Sequence, residues 1–263
     1  MRVSEEAVVG TDVVLGYGAH IAVGRSSFII PRPGITAIIG PNGSGKSTIL
    51  NAIAGLLPPR SGTIEVAGGR TGRNGISYVL QTTKVAGNLP VTVEEVVTMG
   101  RYATTGWLSR LTAEDRARVR TALDRTGATG FRRRHLHELS GGQRQRAFLA
   151  QGLAQDHNIL LLDEPLSGID HPTARAIDQV IHNEVKEGCA VVVTTHDLTE
   201  AQVADHVILV KGQVVASGPP GEVITPENLA RAYGGAVLHP DQGLPVIDDP
   251  AHAVSEVDSP RFG

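Results

Sequence analysis

Cysteine and aromatic residues are scarce in this chain. Its one cysteine, Cys189, excludes a disulfide framework and a zinc site built from several cysteines. A single cysteine is also typical of proteins from reducing compartments. Aromatic residues make up 3% of the chain, whereas its 31 glycines predict that tight turns and loops are prominent.

Long apolar runs are also missing. The longest, residues 159–162 and 190–193, have the length of single strands, whereas a membrane-spanning helix needs about 20 apolar residues. The first residues are acidic and lack the apolar core of an export signal. We therefore expect a cytoplasmic protein.

Neither sign of charge dominates. Lys and Arg number 24 and Asp and Glu 27, and the net charge of −3 argues against a general nucleic-acid binder. The basic residues are concentrated between Arg101 and Arg146, a stretch with eleven arginines and four acidic residues. With 41% apolar residues, the 263-residue chain is long enough for one large α/β domain or for a core with a small subdomain.

Short β-rich segments alternate with helix-length amphipathic segments at both ends of the chain, which predicts a mostly parallel sheet covered by helices. The predicted strands are 34–40, 63–66, 75–80, 159–162, 190–195 and an edge hairpin of 207–210 with 214–216. Helices are expected over 47–57, where two prolines stop the helix, from Pro172 to Gly188, and over 227–233.

The middle of the chain favours helices instead. Thr92 and Glu95 have the spacing of a capping box, and Gly100 is predicted to end that helix. Further helices are expected over 112–126, which Gly127 follows, and over 140–155. We therefore predict a core of residues 1–85 and 156–236, an inserted helical subdomain of residues 86–155, and a Pro- and Asp-rich tail of residues 237–263 that is extended or poorly ordered.

A glycine-rich loop at residues 40–47 carries the strongest functional signal. It matches G-x-x-x-x-G-K-[ST] between a predicted strand and a predicted helix, which is the context that phosphate binding requires. Backbone N–H groups and the helix N-terminus would bind the phosphates, Lys46 would reach the β- and γ-phosphates, and Ser47 would ligate Mg²⁺. The absence of an Asn-Lys-x-Asp sequence argues against a GTPase.

Polar residues follow three other predicted strands. Asp163 and Glu164 end the apolar run 159–162, which suits Asp163 to hold Mg²⁺ through water and Glu164 to activate the attacking water as general base. His196 follows the neighbouring strand, so its ring would face the γ-phosphate. Gln81 follows the strand at 75–80.

A second anion-binding helix start is predicted at residues 139–143, Leu-Ser-Gly-Gly-Gln. Ser140 has the position of a helix N-cap, and the two glycines after it open the helix N-terminus to an anion. One chain has no evident need for two phosphate-binding helix starts, whereas a head-to-tail dimer that closes over nucleotide does.

Together these motifs make the chain resemble the ATP-binding cassette (ABC) ATPases over residues 10–235. The resemblance assigns residues 40–48 to the Walker A loop, Gln81 to the Q-loop, 139–143 to the signature motif, 159–164 to Walker B, 167–170 to the D-loop and His196 to the switch histidine. It implies a P-loop NTPase (RecA-like) core with a mostly parallel sheet, an antiparallel β part near the N-terminus and an inserted α-helical subdomain.

The resemblance also implies a Mg²⁺-dependent ATPase whose homodimer encloses two ATP molecules. Its catalytic residues would be Glu164, His196, Lys46 and Gln81, and its Mg²⁺ ligands Ser47, Gln81 and Asp163. The residues that contact ATP would be Tyr17, where the family has an adenine-stacking aromatic, Gly40, Pro41, Asn42, Gly43, Ser44, Gly45, Lys46, Ser47 and Thr48, and across the dimer Ser140, Gly141, Gly142, Gln143 and Asp170. The implied partners are integral membrane permease subunits and, indirectly, a substrate-binding protein, with the chain on the inner face of the cell membrane.

Residues 91–102, followed by Gly106-Trp107-Leu108, resemble the manganese- and zinc-type metal importers. Siderophore and haem importers carry a related Gly-Arg here, and residues 82–89 lack the aromatic and acidic residues usual in the metal group. The alternatives are an ATPase for a siderophore, haem or another ABC substrate, and a soluble ABC ATPase outside transport. His135-x-His137 is interpreted as a polar turn, because only Glu138 could complete a metal site there.

Overall fold

The computed structural model describes residues 5–67, 75–80, 90–105 and 110–234. The strands are β1 (Glu5–Tyr17), β2 (His20–Arg32), β3 (Gly34–Ile39), β4 (Ser61–Val66), β5 (Gly75–Val79), β6 (His157–Asp163), β7 (Ala190–Thr195), β8 (His206–Val210) and β9 (Val214–Gly218). The helices are α1 (Lys46–Ile53), α2 (Val93–Thr105), α3 (Ala113–Arg125), α4 (Gly141–Leu153), α5 (His171–Lys186), α6 (Leu198–Gln202), α7 (Pro220–Val223) and α8 (Pro226–Tyr233). Among the described residues, no helix is both long and apolar enough to cross a membrane.

A six-stranded sheet forms the core of the protein. Its order is β5-β6-β7-β3-β8-β9, and every neighbouring pair is parallel except the antiparallel pair β8-β9 at the edge. A second, antiparallel sheet in the order β2-β1-β4 comes from near the N-terminus. This architecture confirms the predicted α/β fold class, its antiparallel part and the edge hairpin.

The central strands are apolar along their whole length because both faces of the large sheet are buried. In β6, Leu160 and Leu162 pack with residues of α5, α6, α7 and α8 on one face. Ile159 and Leu161 pack with residues of β1, β2 and α1 on the other. This alternation, with a period of two residues, holds the carboxyl end of β6 rigidly between two cores.

The helices α2, α3 and α4 pack around a third apolar core that includes Val97, Leu123 and Ala147. The capping box predicted at the start of α2 is confirmed. The Thr92 N–H donates to Glu95 Oε2 at 2.7 Å, and the Glu95 N–H donates to Thr92 Oγ1 at 3.3 Å. The helical pattern predicted for the middle of the chain is therefore present in its described part.

Two predicted helix ends are wrong. Helix α2 does not end at Gly100 but continues to Thr105. Gly100 faces α4, and a Cβ on it would lie 2.3 Å from the Gln151 carbonyl oxygen. Close helix packing, not helix termination, therefore requires glycine at this position. Helix α1 ends at Ile53 instead of residue 57, because Gly55 has a φ of 72°, which breaks the helix before the prolines.

Arg101, next to this glycine, is buried. Its Nε donates to Asp115 Oδ1 at 2.9 Å, its Nη1 donates to the Ala154 carbonyl oxygen at 2.7 Å, and it forms an ion pair with Asp156. Hydrogen bonds from Thr112, and then from Arg101, lower the pKa of Asp115 to about 2. The Gly-Arg pair within residues 91–102 thus has a packing role, because it joins α2 to α3 and to the end of α4.

Replacing Gly100 by Ala is expected to lower the free energy of unfolding by about 1–2 kcal/mol. Overpacking against a backbone oxygen costs up to about 3 kcal/mol, which exceeds the gain in helix propensity of about 1 kcal/mol. Urea unfolding followed by circular dichroism measures the difference. Gly130→Ala is the matched control, because a Cβ there meets no atom within 4 Å; a Gly100→Ala variant as stable as the parent would contradict the close packing.

Candidate active site

The loop that connects β3 to α1 has a shape that excludes side chains at two positions. A Cβ on Gly40 would lie 2.1 Å from the Val210 carbonyl oxygen, and one on Gly45 would lie 2.5 Å from Val23 Cγ2. Gly45 is also the N-cap of α1, with a φ of 110°, and has no side chain with which to cap the helix. The first N–H groups of α1 are therefore available to an external acceptor, which suits an anion such as phosphate.

One of the residues between these glycines has a buried polar atom that is available to a ligand. Asn42 and Gly43 are exposed at the tip of the loop, whereas Ser44 and Thr48 are buried. The Ser44 N–H donates to the Pro41 carbonyl oxygen at 3.1 Å, which closes a turn. Ser44 Oγ is buried without a hydrogen-bond partner among the described residues, and a phosphate oxygen could satisfy it.

Lys46, the first residue of α1, lies across this loop and is 6% exposed. Its Nζ donates to the carbonyl oxygens of Gly40 at 2.8 Å and Pro41 at 3.3 Å. Burial lowers the pKa of Lys46, while the carboxylates of Glu164 and Asp163 act in the opposite direction. Phosphate oxygens would be stronger, charged acceptors than the two carbonyl groups.

The carboxylates that follow β6 meet the loop at the same edge of the sheet. Ser47 Oγ donates to Asp163 Oδ1 at 3.0 Å, and Thr194 Oγ1 donates to the same oxygen at 2.7 Å. The Glu164 N–H donates to Thr194 Oγ1 at 2.8 Å. The structure thus brings the pair Lys46 and Ser47 together with the pair Asp163 and Glu164, which lies far along the sequence.

Thr194 is a site residue that sequence analysis missed. It lies opposite Asp163 in the parallel pair β6-β7, so its position one residue before the end of strand 190–195 is the signal that could have identified it. Its hydroxyl orients both the Asp163 carboxylate and the turn at Glu164. Glu164 has a left-handed φ of 49°, a conformation that is uncommon for non-glycine residues.

The donor atoms at this edge suit a hard divalent cation. Serine hydroxyl and carboxylate oxygens are ligands that Mg²⁺ accepts, and Mg²⁺ completes its shell with water and substrate phosphates. Ser47 and Asp163, joined by their hydrogen bond, are the two predicted ligands that the structure describes. Gln81, the third, lies outside the described residues, as do residues 82–89, Gly106-Trp107-Leu108 and the tail 237–263.

His196 follows β7 and lines a cavity of about 170 Å³ together with Glu164. Ser167 and Gly168 of the segment that resembles the D-loop line the same cavity. Glu200 of α6 lines it too, and burial raises the pKa of its carboxyl group. No sequence motif marks Glu200, and lining this cavity gives it no role in the chemistry.

Two tyrosines lie near this edge. Tyr17, at the end of β1, is 48% exposed, and its hydroxyl accepts a hydrogen bond from Asn51 Nδ2 at 2.9 Å. Its ring is thus accessible for stacking. Tyr78 of β5, which sequence analysis missed, lies near Asp163; burial and the charge of this carboxylate raise the pKa of Tyr78.

The Leu-Ser-Gly-Gly-Gln segment begins α4 as predicted. Ser140 is the N-cap: the Gln143 N–H donates to Ser140 Oγ at 3.3 Å, and the Ser140 N–H donates to Gln143 Oε1 at 3.1 Å. A Cβ on Gly142 would lie 2.9 Å from Thr173 Oγ1 in α5, whereas one on Gly141 meets no atom within 4 Å. Gly142, the second residue of α4, is therefore packed against α5, whereas Gly141, the first residue, has no atom near its Cβ position.

Asp170 is the N-cap of α5 and lies beside this segment. Its Oδ1 accepts a hydrogen bond from the Thr173 N–H at 2.8 Å, and this bond lowers the pKa of Asp170. Because Gly142 packs against the same threonine, the start of α4 and Asp170 form one surface.

The two histidines at 135 and 137 belong to a short turn. Their rings stack with centroids 5.5 Å apart, beside the 3₁₀ turn Leu136–Glu138. Glu138 Oε2 accepts a hydrogen bond from the His135 N–H at 2.7 Å. The Glu138 carboxylate thus caps the turn.

Comparison with known proteins identifies a family and several relatives of this chain. A family model described as "ABC transporter" matches residues 23–167. The chain is 40% identical over 242 residues to the chelated iron transport system membrane protein YfeB of Yersinia pestis, covering 90% of this chain and 82% of that protein. It is 41% identical over 234 residues to the zinc transport system ATP-binding protein TroB of Treponema pallidum, covering 88% of each.

The chain is also similar to a protein named for manganese transport and to a solved dimeric cassette. The chain is 38% identical to the manganese transport system ATP-binding protein MntA of Synechocystis, over 82% of this chain and 85% of that protein. A solved dimeric structure of an ATP-binding cassette with ADP and phosphate aligns with a TM-score of 0.70 and 28% identity, over 81% of this chain and 98% of that chain.

Proposed function

The chain belongs to the ABC transporter family, whose cassettes bind and hydrolyse ATP, and from this premise we propose that it is the ATPase subunit of an importer for a manganese- or zinc-type metal cation. The observation that carries the ATPase role is the Ser47–Asp163 hydrogen bond, which joins the phosphate loop to the acidic edge of the sheet. Relatives named for zinc and manganese transport support the metal class.

The phosphate loop would bind the triphosphate. The N–H groups at the start of α1 and the Lys46 ammonium would neutralise the β- and γ-phosphates, with Lys46 exchanging its carbonyl acceptors for phosphate oxygens. Ser47 and Asp163, with Gln81, would hold Mg²⁺, which when bound neutralises charge on the β- and γ-phosphates. Tyr17 would stack on the adenine.

Glu164 would act as the general base. Its carboxylate would take a proton from the attacking water, while His196, beside the same cavity, would hold that water and the γ-phosphate. Thr194 fixes the backbone N–H of Glu164, so the base is oriented before the water arrives.

The start of α4 would complete the site of a second copy of the chain. Ser140 and Gly142, with Gly141, Gln143 and Asp170 nearby, would contact the nucleotide held by Lys46 and Ser47 of the partner. The alignment with a dimeric cassette supports this arrangement. Two ATP molecules would then close a homodimer, and hydrolysis would release it.

The partners would be integral membrane permease subunits, reached through the helical segment and the region after Gln81, and indirectly a substrate-binding protein. This contact would place the chain on the inner face of the cell membrane. We propose residues 1–85 and 156–236 as the nucleotide-binding core, 86–155 as the helical subdomain and 237–263 as a tail. Nucleic acid is not a proposed partner, because the net charge is −3.

Chelated iron is the second candidate cargo, favoured by the 40% identity to the protein named for its transport. An importer of this kind would take a siderophore or haem instead of a simple cation. The nucleotide site would be the same in both cases, because this subunit does not bind the cargo.

Replacing Gly141 by Asp is expected to abolish metal uptake while leaving ATP binding by each chain intact. The position is sterically open, and an acidic residue in the first turn stabilises a helix by about 0.3–1 kcal/mol, so the fold is retained. The new carboxylate would repel the phosphates bound by the partner. Uptake of Mn²⁺, Zn²⁺ and chelated iron is measured in cells that carry the variant in place of the parent chain, and nucleotide binding on the purified protein.

Gly130→Asp is the matched control, because that exposed glycine is equally open and lies outside the segment proposed to contact the partner's nucleotide. Normal uptake by Gly141→Asp cells would contradict the shared nucleotide site. If the cells with the parent chain take up chelated iron but neither cation, the second candidate replaces the first.

A further inference from the structure

A cluster of three different metal-ligand types lies at the amino-terminal ends of β6 and β7, the opposite edge of the sheet from the nucleotide site. His157 opens β6, Glu184 lies near the end of α5, and Cys189 directly precedes β7. One ligand atom from each residue (imidazole nitrogen, carboxylate oxygen and sulfur) lies within 4.8 Å of the other two. His157 Nε2 and Glu184 Oε2 are 3.1 Å apart.

The His157 ring has the orientation of a metal ligand. Its Nδ1 lies 3.0 Å from the Gln155 carbonyl oxygen, which can accept one ring N–H and leave Nε2 to the cluster. Metal-binding histidines almost always have their second nitrogen bonded in this way. The side chains of His157 and Glu184 are 6% and 5% exposed, and Cys189 is 5% exposed, so the ligand atoms are shielded from bulk water.

Without a cation, the same groups form a buried ion pair. His157 Nε2 and Glu184 Oε2 are within hydrogen-bond distance, and Cys189 Sγ donates to the His157 carbonyl oxygen at 3.9 Å. Arg125 at the end of α3 places Nη2 at 2.6 Å from Glu184 Oε1, without the alignment of a hydrogen bond. A metal cation could take the place of the imidazolium proton, because metal binding requires deprotonated ligands.

We propose that His157, Glu184 and Cys189 form a site for Zn²⁺ that is separate from the nucleotide site. Bonds of about 2.0–2.3 Å to one zinc ion place tetrahedral ligand atoms about 3.5 Å apart. His157 Nε2 and Glu184 Oε2, 3.1 Å apart, are already near that spacing, and no pair in the cluster exceeds 4.8 Å, so a shift of about 1 Å would complete the geometry. Histidine nitrogen, carboxylate oxygen and cysteine sulfur are all zinc ligands, and a site with three protein ligands leaves its fourth position to water.

The surroundings provide access and selectivity. A cavity of about 450 Å³ has both His157 and Glu184 in its lining, which gives an ion an entry route and a water molecule a place. A thiolate ligand favours zinc, whereas Mn²⁺ and Mg²⁺ prefer sites built from oxygen ligands alone. Because Arg125 shares the Glu184 carboxylate, a bound ion would also alter the contact between α3 and α5.

Cobalt(II) is the probe for this site, because cobalt–thiolate bonds absorb in the near ultraviolet. The reduced, full-length protein is stripped of metal and titrated with Co²⁺, then with Zn²⁺ or Mn²⁺. We expect a sulfur-to-cobalt band that saturates at one ion per chain and disappears with Zn²⁺ but not with Mn²⁺. The band can come only from Cys189, since the chain has no other cysteine. Zn²⁺ should also raise the thermal midpoint, because a ligand of the native state stabilises it.

Cys189→Ser should abolish the band, and both Cys189→Ser and His157→Gln should weaken Zn²⁺ binding by about tenfold or more. His182→Gln is the matched control, because this histidine is exposed on the same helix as Glu184. Binding of an ATP analogue by each variant verifies the fold. If the parent gives no band, or if Cys189→Ser binds Zn²⁺ as tightly as the parent, the cluster is a buried ion pair and not a metal site.

Discussion

Replacing Glu164 by Gln is expected to lower the rate of ATP hydrolysis by about 10²–10⁴-fold, the usual contribution of a general base. Glutamine has the same shape but cannot accept the proton of the attacking water. ATP binding should remain, because Lys46, Ser47 and the loop glycines are unchanged. The variant should therefore accumulate as an ATP-bound dimer, visible by size-exclusion chromatography with ATP and Mg²⁺.

Glu200→Gln is the control for this experiment, because Glu200 lines the same cavity but lies on α6 and not after β6. The Glu200→Gln variant should hydrolyse ATP at a rate within about tenfold of the parent rate. This decrease is much smaller than the decrease expected when a general base is lost. Steady-state hydrolysis by the Glu164→Gln variant at a comparable rate would show that another group activates the water.

Replacing Lys46 by Ala is expected to weaken ATP binding by about 10–150-fold. This range corresponds to the loss of charged hydrogen bonds worth about 1.5–3 kcal/mol. The effect differs in kind from that at Glu164, since Lys46 acts on the bound nucleotide before any proton moves. Equilibrium binding of a fluorescent ATP analogue measures it.

The control is Lys186→Ala, because Lys186 is exposed at the end of α5, away from the loop. Thermal unfolding of both variants shows how much of the effect is structural, since Lys46 also donates to the Gly40 and Pro41 carbonyl oxygens. Unchanged ATP affinity in a folded Lys46→Ala protein would remove the lysine from the phosphate site.

The sequence was sufficient to predict the sheet and the convergence at its edge. Polar residues that directly follow buried apolar runs must lie at one edge when the strands are parallel, and Asp163 beside Thr194 shows this in the register of β6 and β7. Capping boxes at Thr92 and Ser140 were also predictable, because they depend on side chains three residues apart. The catalytic and ligand roles of these residues remain predictions.

What the sequence did not reveal depends on contacts between distant segments. Gly100 has the local signature of a helix end, but the oxygen that requires glycine there belongs to Gln151 in another helix. Thr194 and Tyr78 stand within ordinary strand sequences, and only the neighbouring strand shows that their hydroxyl groups meet Asp163. A local pattern contains no information about such partners.

The glycine contacts around α4 have a mechanical consequence. At three points a glycine lies directly against a neighbouring element: Gly100 of α2 against the Gln151 carbonyl oxygen of this helix, Gly142 against the Thr173 side chain of α5, and Gly152 against the Val79 side chain of β5, where an added Cβ would lie 2.6 Å from Cγ2. No rotamer on the glycine side can absorb a displacement at these points, and close-packed interiors compress little. A displacement of the signature end of α4 would therefore press directly on the Val79 side chain at the end of β5.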